Sequence, residues 1–499
     1  MNTALLDPDQ ALAGILDACA ALPAEDCATV AALGRVLASP VTSPGVLPPF
    51  DNSAMDGYAL GGGAEVLPAG GEWPIEGEQA AGDGVAHAER GAWEIMTGAR
   101  LPDGLDRVIP LEQTERLKAP PRVRLLSEVK AAQNVRKAGS DVAQGETLLA
   151  AGSLLAPQHL MLLAALGVGK LQVVSRPRVA VLCTGRELVD EPARMLAPGQ
   201  IHNSNGPFLA ARLPLAGAEL VHIETVGDDA AVFVAALRRA LEQGAQVVVS
   251  TGAVSAGRYD FVPQALQQVG AQVLFHQLAI RPGKPLLAAR LAEGAWFFGL
   301  PGNPVAVAAG LRFFVEPTLR VLLGLPREQP WRAALRDGYA KKPRLRFYLK
   351  ARVDLDAEGR LAATVLAGQE SYRIRPLAEA NAWVVAPVDA GHLPPGACVD
   401  VYSLGHLESL LLAGGSRKTR ITLHGALRDA DPRGYVELEL PAGCSVAMLR
   451  ELLQAHLRAQ APAIGAGLVR MSAFASTGEI LHNHSAVPEG GELAVLPPV

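Results

Sequence analysis

Four short polar loops hold most of the side chains that could carry out chemistry in this chain. They read C-T-G-R-E-L at 183–188, S-T-G-A-V-S-A-G-R-Y-D at 250–260, R-P-G-K-P at 281–285 and P-G-N-P at 301–304. Each loop follows an apolar run that is typical of a buried strand. Because loops after parallel strands open on the same edge of a sheet, where ligands bind, we predict that these loops converge on one crevice. Together they bring carboxylates, cations, hydroxyls and glycines, which suits phosphate chemistry with a metal ion.

Three carboxylates are candidate ligands for a hydrated Mg²⁺, which uses one or two protein carboxylates and keeps several waters. Glu187 follows the first strand, Asp228 lies in the Gly227–Asp229 turn after the second, and Asp260 closes the 250–260 loop. Each also has a structural alternative. Glu187 could begin a helix, where the helix dipole favours an acidic residue, and Asp260 or one of the paired aspartates could be an N-cap. We expect one aspartate of the pair to cap a helix and the other to be free.

The remaining loop residues suit the binding of anions. Gly252 permits a positive φ and a close approach of a ligand to backbone N–H groups. Arg281 and Lys284 are cations suited to a bidentate and a point contact with an oxyanion. Asn303 is the expected N-cap of a helix that begins at Pro304, and the free amides of its first turn would form an anion site. A generic turn is the alternative in each case. The candidate binding residues are Thr184, Gly252, Ser255, Arg281, Pro301, Asn303 and Pro304.

Two further motifs lie in a region that is rich in Gly and Pro. D-N-S-A-M-D-G-Y-A at 51–59 crowds polar groups around Met55 and contains Asp56, an acid that could assist metal or proton chemistry. I-M-T-G-A at 95–99 places Thr97 after a short strand, where it could contact phosphate. A polar turn is the alternative for both motifs.

The composition is that of a folded protein, and it argues against several function classes. Hydrophobic residues make up 49% and charged residues 19% of a chain of 499 residues, which is long enough for several domains. A net charge of −5 without any Lys/Arg-rich run argues against nucleic-acid binding. The longest apolar stretch, Leu160–Val168, is too short to span a membrane, and no export signal is visible. Five scattered cysteines without C-x-x-C favour a cytoplasmic protein and no zinc site.

Apolar runs that alternate with helical patterns over 178–325 predict a doubly wound α/β domain with a parallel sheet. The expected strands are Val179–Cys183, Leu220–Thr225, Val247–Ser250, Val273–Ile280 and Trp296–Leu300, and the expected helices are Phe208–Leu215, Ala230–Gln243, Phe261–Val269 and Val305–Leu323. Short apolar alternations predict small β domains over 40–176 and a small β barrel or sandwich over 344–412. Residues 417–499 follow a linker and form a separate module of the order strand, strand, helix, strand, strand. These elements are expected at Arg420–His424, Tyr435–Leu440, Val446–Arg458, Leu468–Phe474 and Glu492–Leu496.

Six motifs, in this order, resemble those of the molybdopterin molybdotransferases, which include the bacterial MoeA proteins and the gephyrin E domain. They are the 51–59 and 95–99 motifs, R-x-x-G-S-D at 136–141, the 250–260 loop, R-P-G-K-P and P-G-N-P. The resemblance covers about residues 5–405. It implies a discontinuous linker domain at 1–44 and 146–177, a β domain at 45–145 and a β barrel at 330–408. The same resemblance implies an elongated homodimer. It also implies a reaction in which adenylylated molybdopterin and molybdate give molybdenum cofactor and AMP with a divalent metal, here expected to be Mg²⁺.

The resemblance gives most of the candidate residues a role. Glu187, Asp228 and Asp260 would hold Mg²⁺ and the pyrophosphate-like linkage, while Arg281 and Lys284 would neutralise phosphate or molybdate as charge develops. The catalytic candidates are Asp56, Asp228, Asp260 and Lys284, and Thr97 joins the substrate-binding residues.

Residues outside the four loops also match the family. Asp56, reaching in from the neighbouring subunit, resembles the essential acid of the family, and Ser371 in G-Q-E-S resembles its serine on the molybdate side. Five positions depart from the family pattern, and two of them, Arg373 and Arg375 after Ser371, replace mostly small polar residues. Arg186 replaces an acid, Ala253 replaces a glycine, and Lys350 lacks the bidentate geometry of the usual Arg. These departures bear on rate and metal preference more than on reaction class.

The module at 417–499 resembles the ubiquitin-like β-grasp of the molybdopterin synthase sulfur carrier, MoaD. Its last residues are E-G-G-E-L-A-V-L-P-P-V, whereas the carriers continue to a terminal Gly-Gly. Because Val499 beside two prolines is too stiff and bulky for a carrier tail, we expect a degenerate carrier that contacts molybdopterin synthase or an adenylyltransferase. A truncated chain is the alternative. The alternative function is a scaffold of the gephyrin type, but the intact acids favour an enzyme.

Overall fold

The chain divides into two compact units, which are described separately. The first comprises Met1–Ala20, Arg176–Leu322 and Arg327–Val499, and the second comprises Ala21–Ser175 and Leu323–Pro326. The computed structural model describes residues 5–88, 90–254, 261–356, 358–410, 416–441, 444–460, 466–476, 478–483, 485, 487–488 and 493–498. No helix among these residues is long and apolar enough to cross a membrane.

The second unit is built on a six-stranded sheet and several short strand pairs. The sheet order is Arg107–Pro110, Gly57–Leu60, Ala92–Ile95, Glu72–Gln79, Pro121–Leu125, Thr114–Lys118. The paired strands are Ala24–Ala28 with Lys170–Val174, Val41–Thr42 with Thr147–Leu149, Asn52–Ser53 with Val135–Arg136 and Val66–Leu67 with Val129–Lys130. The helices are Pro157–Ala165 and the 3₁₀ turns Thr29–Ala31 and Leu111–Gln113. Buried Tyr58, Leu60, Ile109 and Val123 fill one core of this sheet.

The first unit contains the predicted α/β domain. Its strands are β1 (Arg178–Thr184), β2 (Glu219–Val226), β3 (Val247–Thr251), β4 (Gln272–His276), β5 (Leu287–Arg290) and β6 (Trp296–Leu300), in the order β2-β1-β3-β6-β5-β4. Its helices are α1 (Asn205–Leu215), α2 (Ala230–Glu242), α3 (Val262–Gln268) and α4 (Pro304–Gly310), which continues through Leu311–Val315 into Glu316–Leu322. The helix Pro8–Asp17 and the small pair Leu188–Val189 with Ile201–His202 also belong here. The α/β class is therefore confirmed.

One part of the predicted sheet is wrong. The expected strand Val273–Ile280 ends at His276, and the unpredicted strand β5 runs antiparallel to both β4 and β6. The sequence pattern misses β5 because it is only four residues long and no helix separates it from β4. Because β5 is antiparallel to both of its neighbours, β4 and β6 run in the same direction. The loop after β4 therefore still opens on the carboxyl edge of the sheet.

A closed five-stranded barrel follows the α/β domain. Its strands are Trp331–Leu335, Arg346–Leu355, Leu361–Val365, Ala382–Ala386 and Cys398–Ser403, with the short helix Arg375–Glu379 and the pair Tyr339–Ala340 with His392–Leu393. The short strand Ile280–Arg281, from the loop after β4, pairs in parallel with Arg346 and Phe347 of the barrel. The barrel is thereby joined to the loop that carries the R-P-G-K-P motif.

The last module is a five-stranded sheet with a helix against it. Its strands are Ser416–Leu423, Tyr435–Pro441, Ala473–Ser476, Glu479–Leu481 and Leu493–Leu496, and its helices are Val446–Gln460, Ala466–Met471 and the 3₁₀ turn Gly425–Ala430. The last strand lies in the middle of the sheet, parallel to the first, as in a β-grasp. The sequence predicted a strand at 468–474, where the structure has a helix that ends at Met471 and a strand that begins at Ala473. Val499 and the glycines at 490 and 491 lie outside the described residues.

Candidate functional site

Three of the predicted loops meet at the carboxyl edge of the sheet. The Thr184 hydroxyl, at the end of β1, donates to the Thr251 carbonyl at 3.0 Å. The Gly252 N–H, after β3, donates to the Leu300 carbonyl of β6 at 2.9 Å. Asn205 of α1 also donates its side-chain amide to the Gly302 carbonyl at 2.8 Å. The order of β1, β3 and β6 in the sheet is what brings the 183–188, 250–254 and 301–304 segments together.

Thr184 does not have the role that the sequence suggested. The residue is 6% exposed, and its hydroxyl proton is used within the protein. Thr184 therefore holds the β1 and β3 loops in register rather than presenting a hydroxyl to a ligand. Pro301 is likewise buried beneath the edge.

The backbone of the β3 loop takes two successive left-handed conformations. Gly252 has φ +89°, and a Cβ there would lie 2.7 Å from both the carbonyl oxygen and the hydroxyl of Thr184. Ala253 follows with φ +52°, which is costly for a residue with a Cβ. The loop thus keeps a conformation that suits two glycines, although this chain has Ala at the second position. Ser255 and Asp260 lie outside the described residues.

We expect Ala253→Gly to stabilise the protein by about 1 kcal/mol, because it removes the left-handed strain of an alanine. Urea unfolding of the purified variant would measure this. Ala271→Gly is the matched control, since Ala271 is half-buried beside the same core and has no positive φ. It should lose about 0.4–1 kcal/mol, because glycine gives the unfolded chain more conformational freedom than alanine. A destabilised Ala253→Gly would contradict the strain argument.

The start of α4 contradicts the predicted free amides. The helix begins at Pro304 with Asn303 as N-cap, as expected, but the Asn303 side chain accepts no capping hydrogen bond. The Val305 N–H donates to the Ser371 carbonyl at 3.0 Å, and the next two N–H groups donate to the Asn303 carbonyl. Because these donors are used within the protein, this first turn is not an open anion site. Asn303 itself remains exposed at the edge, next to half-buried Pro304.

The barrel supplies Ser371 through a loop that Lys350 fixes in place. The Lys350 side chain is fully buried, and its ammonium donates to the carbonyls of Gly368, Glu370 and Arg373 at 2.7, 3.4 and 3.0 Å. Lys350 is therefore not available to bind a ligand, which corrects the sequence-based prediction. It positions the loop whose Ser371 carbonyl contacts α4.

The two cations of R-P-G-K-P are exposed on the loop after β4. The Arg281 guanidinium carbon lies 5.4 Å from the ring centroid of Phe347 in the barrel. The Lys284 side chain is exposed, while its carbonyl accepts from the Leu278 N–H at 2.8 Å. The loop thus combines a fixed backbone with two exposed cationic side chains, and this combination suits the binding of an anion.

The two aspartates of the 227–229 turn have different roles, as the sequence suggested: one caps a helix and the other does not. Asp229 is the N-cap of α2 and accepts from the N–H groups of Ala231 and Val232, whereas Asp228 is exposed. Glu187 is half-buried, with its carboxylate against Gly185. The Gly185 N–H donates to the carbonyl of Val226, the last residue of β2, at 3.1 Å. The loops that carry Glu187 and Asp228 therefore leave adjacent strands.

Carboxylate oxygens at the ends of neighbouring strands are the donor type that Mg²⁺ takes. Among the described residues no group of three or more His, Cys, Asp or Glu is close enough to hold a metal ion, and Asp260 lies outside them.

The sequence reasoning missed a polar cluster around Asp190, which accepts hydrogen bonds from the side chains of Asn203 and Thr225 at 2.9 Å each. Asp190 directly follows the short strand Leu188–Val189, and such an acid gave no signal by itself.

In the second unit, the 51–59 and 95–99 motifs meet. The exposed Asp56 carboxylate accepts from the Thr97 N–H at 2.6 Å and from the Thr97 hydroxyl at 2.7 Å. These hydrogen bonds from Thr97 hold the pKa of Asp56 below its ordinary value of 3.8. The Gly98 N–H also donates to the Ser53 carbonyl at 2.8 Å. Asp56 is thus an exposed acid that is held by Thr97 and ionised at neutral pH.

Three family models match successive parts of the chain. Residues 180–321 match a probable molybdopterin binding domain. Residues 6–167 match the MoeA N-terminal region, domains I and II, and residues 332–404 match the MoeA C-terminal region, domain IV. The fold and its edge therefore define a protein of molybdenum cofactor biosynthesis.

Relatives of known name extend the match along most of the chain. The chain is 36% identical to the molybdopterin molybdenumtransferase of Synechococcus elongatus, over 74% of this chain and 92% of that protein. It is also 36% identical to molybdopterin molybdenumtransferase 2 of Mycobacterium tuberculosis, over 75% and 93%. The solved molybdopterin biosynthesis MoeA protein of Pyrococcus horikoshii OT3 superposes with a TM-score of 0.65 at 27% identity, covering 80% of this chain and 99% of that one. The chain belongs to the molybdopterin molybdenumtransferase family and is a transferase.

Proposed function

We propose that this transferase inserts molybdate into adenylylated molybdopterin and releases AMP, with Mg²⁺ bound at the edge of the α/β sheet. The observation that carries the proposal is the meeting of the β1, β3 and β6 loops with the Ser371 loop of the barrel. The loop after β4 adds the exposed cations Arg281 and Lys284, and the loops after β1 and β2 add half-buried Glu187 and exposed Asp228.

The proposed metal ligands are Glu187, Asp228 and Asp260. Bound there, Mg²⁺ would screen the negative charge of the phosphate linkage. Arg281 and Lys284 would bind the oxyanion and the phosphate, as two preorganised cations do when charge develops in a transition state. The exposed loop of Ser371 and Asn303 would orient the substrate beside them.

The proposed assembly is a homodimer in which Asp56 and Thr97 of one subunit face the α/β edge of the other. Asp56 would act there as an anion, because its hydrogen bonds with Thr97 keep it ionised. An ionised carboxylate can accept a proton that the substrate or a water molecule releases during insertion.

The β-grasp module would recruit molybdopterin synthase or an adenylyltransferase. Its support is the MoaD-like sequence and the β-grasp order of its strands. Ile480, on a short strand of its sheet, is 66% exposed and would form part of such a contact. Recruitment would complement the transferase activity and would not replace it.

The function can be tested by measuring AMP release from adenylylated molybdopterin by the full-length protein, with and without molybdate and Mg²⁺. We expect release only when both are present. Release without molybdate would identify a hydrolase rather than an insertase. No release under any condition would favour a scaffold of the gephyrin type.

A further inference from the structure

A cavity of about 420 Å³ lies between the R-P-G-K-P loop and the barrel. Arg281 and Pro282 of the loop line it together with residues of the 339–343 segment, among them Tyr339, Lys341 and Lys342. The lining contains three cations and no acidic residue. This charge pattern selects a ligand that carries negative charge.

The cations of the cavity differ in what they can offer a ligand. The Lys341 ammonium donates to the carbonyls of Leu345 and Val388 at 2.8 and 3.3 Å. Because these donors are used within the protein, Lys341 contributes mainly its positive charge to the cavity. Arg281 and Lys342 are exposed, and neither forms an ion pair with a described residue. These two side chains can therefore contact an anion directly, Arg281 with a planar fork and Lys342 with a point charge.

The wall of the cavity beneath the cations is aromatic. The Arg281 guanidinium and the Lys341 ammonium each lie 5.4 Å from the ring centroid of Phe347. The half-buried Tyr339 and the exposed Pro343 add further ring surface. A cationic end beside flat apolar walls suits a ligand with both a phosphate and an aromatic base.

The volume argues against a bare oxyanion as the main ligand. Small-molecule sites have volumes of roughly 300–1,000 Å³, and the cavity falls within this range at about 420 Å³. A tetrahedral oxyanion of five atoms would leave most of that space empty. A nucleoside monophosphate would fill far more of it.

We propose that this cavity binds AMP, with its phosphate on Arg281 and Lys342 and its purine along the Tyr339 wall. The inference rests on the proposed function, which supplies AMP as the leaving group. Arg281 belongs both to this cavity and to the loop at the sheet edge. AMP, the leaving group, thereby remains bound to Arg281 while molybdenum remains with the pterin.

Isothermal titration of AMP into the full-length protein, without pterin or molybdate, tests the cavity directly. We expect Lys342→Ala to weaken AMP binding about tenfold, which corresponds to one charge-assisted contact. Arg344→Ala is the matched control, because Arg344 is an exposed cation of the same segment outside the cavity lining. Its affinity for AMP should equal that of the wild type.

Inorganic phosphate and adenosine complete the test. Both should bind more weakly than AMP, and the binding of adenosine should be insensitive to Lys342→Ala. Equal AMP affinity of Lys342→Ala and wild type would overturn the proposal. So would inorganic phosphate binding as tightly as AMP, since the cavity would then be a bare oxyanion site. Molybdate-dependent AMP release is measured separately, so a failed transferase assay with intact, Lys342-dependent AMP binding would reject only the proposed function.

Discussion

Asp56→Asn is expected to lower the rate of AMP release at least about 100-fold while leaving the fold intact. The asparagine side chain keeps the shape of the aspartate and can still accept a hydrogen bond from Thr97. It loses only the negative charge that the two hydrogen bonds from Thr97 stabilise. Because the side chain is exposed in the second unit, the change removes no buried contact.

Turnover, the midpoint of thermal unfolding and the oligomeric mass should be measured on the same preparation of Asp56→Asn. Asp103→Asn is the control, because Asp103 is a partly exposed acid of the same unit that pairs with Arg100. It should retain wild-type turnover. An Asp56→Asn variant with more than half of the wild-type rate would remove Asp56 from the mechanism.

The pH dependence of the wild type provides a second test of Asp56. Since Thr97 lowers the pKa of Asp56 below 3.8, the carboxylate is ionised throughout the neutral range. The rate should therefore show no step assignable to Asp56 above about pH 5. A step near pH 6 that disappears in Asp56→Asn would contradict the structural assignment.

Lys350→Met is expected to cost about 3 kcal/mol of unfolding free energy and most of the activity. Methionine fills a similar volume but leaves the carbonyls of Gly368, Glu370 and Arg373 without the buried donor that holds them. The loop would then move, and the Ser371 carbonyl would lose its contact with the Val305 N–H.

Urea unfolding and limited proteolysis at the 368–373 loop would measure this effect. Arg352→Met is the matched control, because Arg352 lies two residues further along the same strand with an exposed side chain. It should change stability by less than about 0.5 kcal/mol. If Lys350→Met is as stable as Arg352→Met, the ammonium does not hold the loop. If only turnover falls, Lys350 acts on the substrate after all.

The sequence determined which segments carry the chemistry. Glycine, proline and N-cap residues have strong local preferences, so the start of α4 at Pro304 could be predicted from neighbours a few residues away, as could a cap of α2 by Asp228 or Asp229. The period of the apolar runs likewise predicted the α/β class, and the order of the six motifs identified the family.

Only the tertiary structure decided what each polar group is bonded to. The hydroxyl of Thr184, the ammonium of Lys350 and the Val305 N–H are all used by protein partners that are distant in sequence. No local pattern encodes such pairs, because the order of strands in the sheet and the closure of the barrel select them. The same long-range packing placed Lys342 and Arg281 in the lining of one cavity, which no spacing in the sequence predicts.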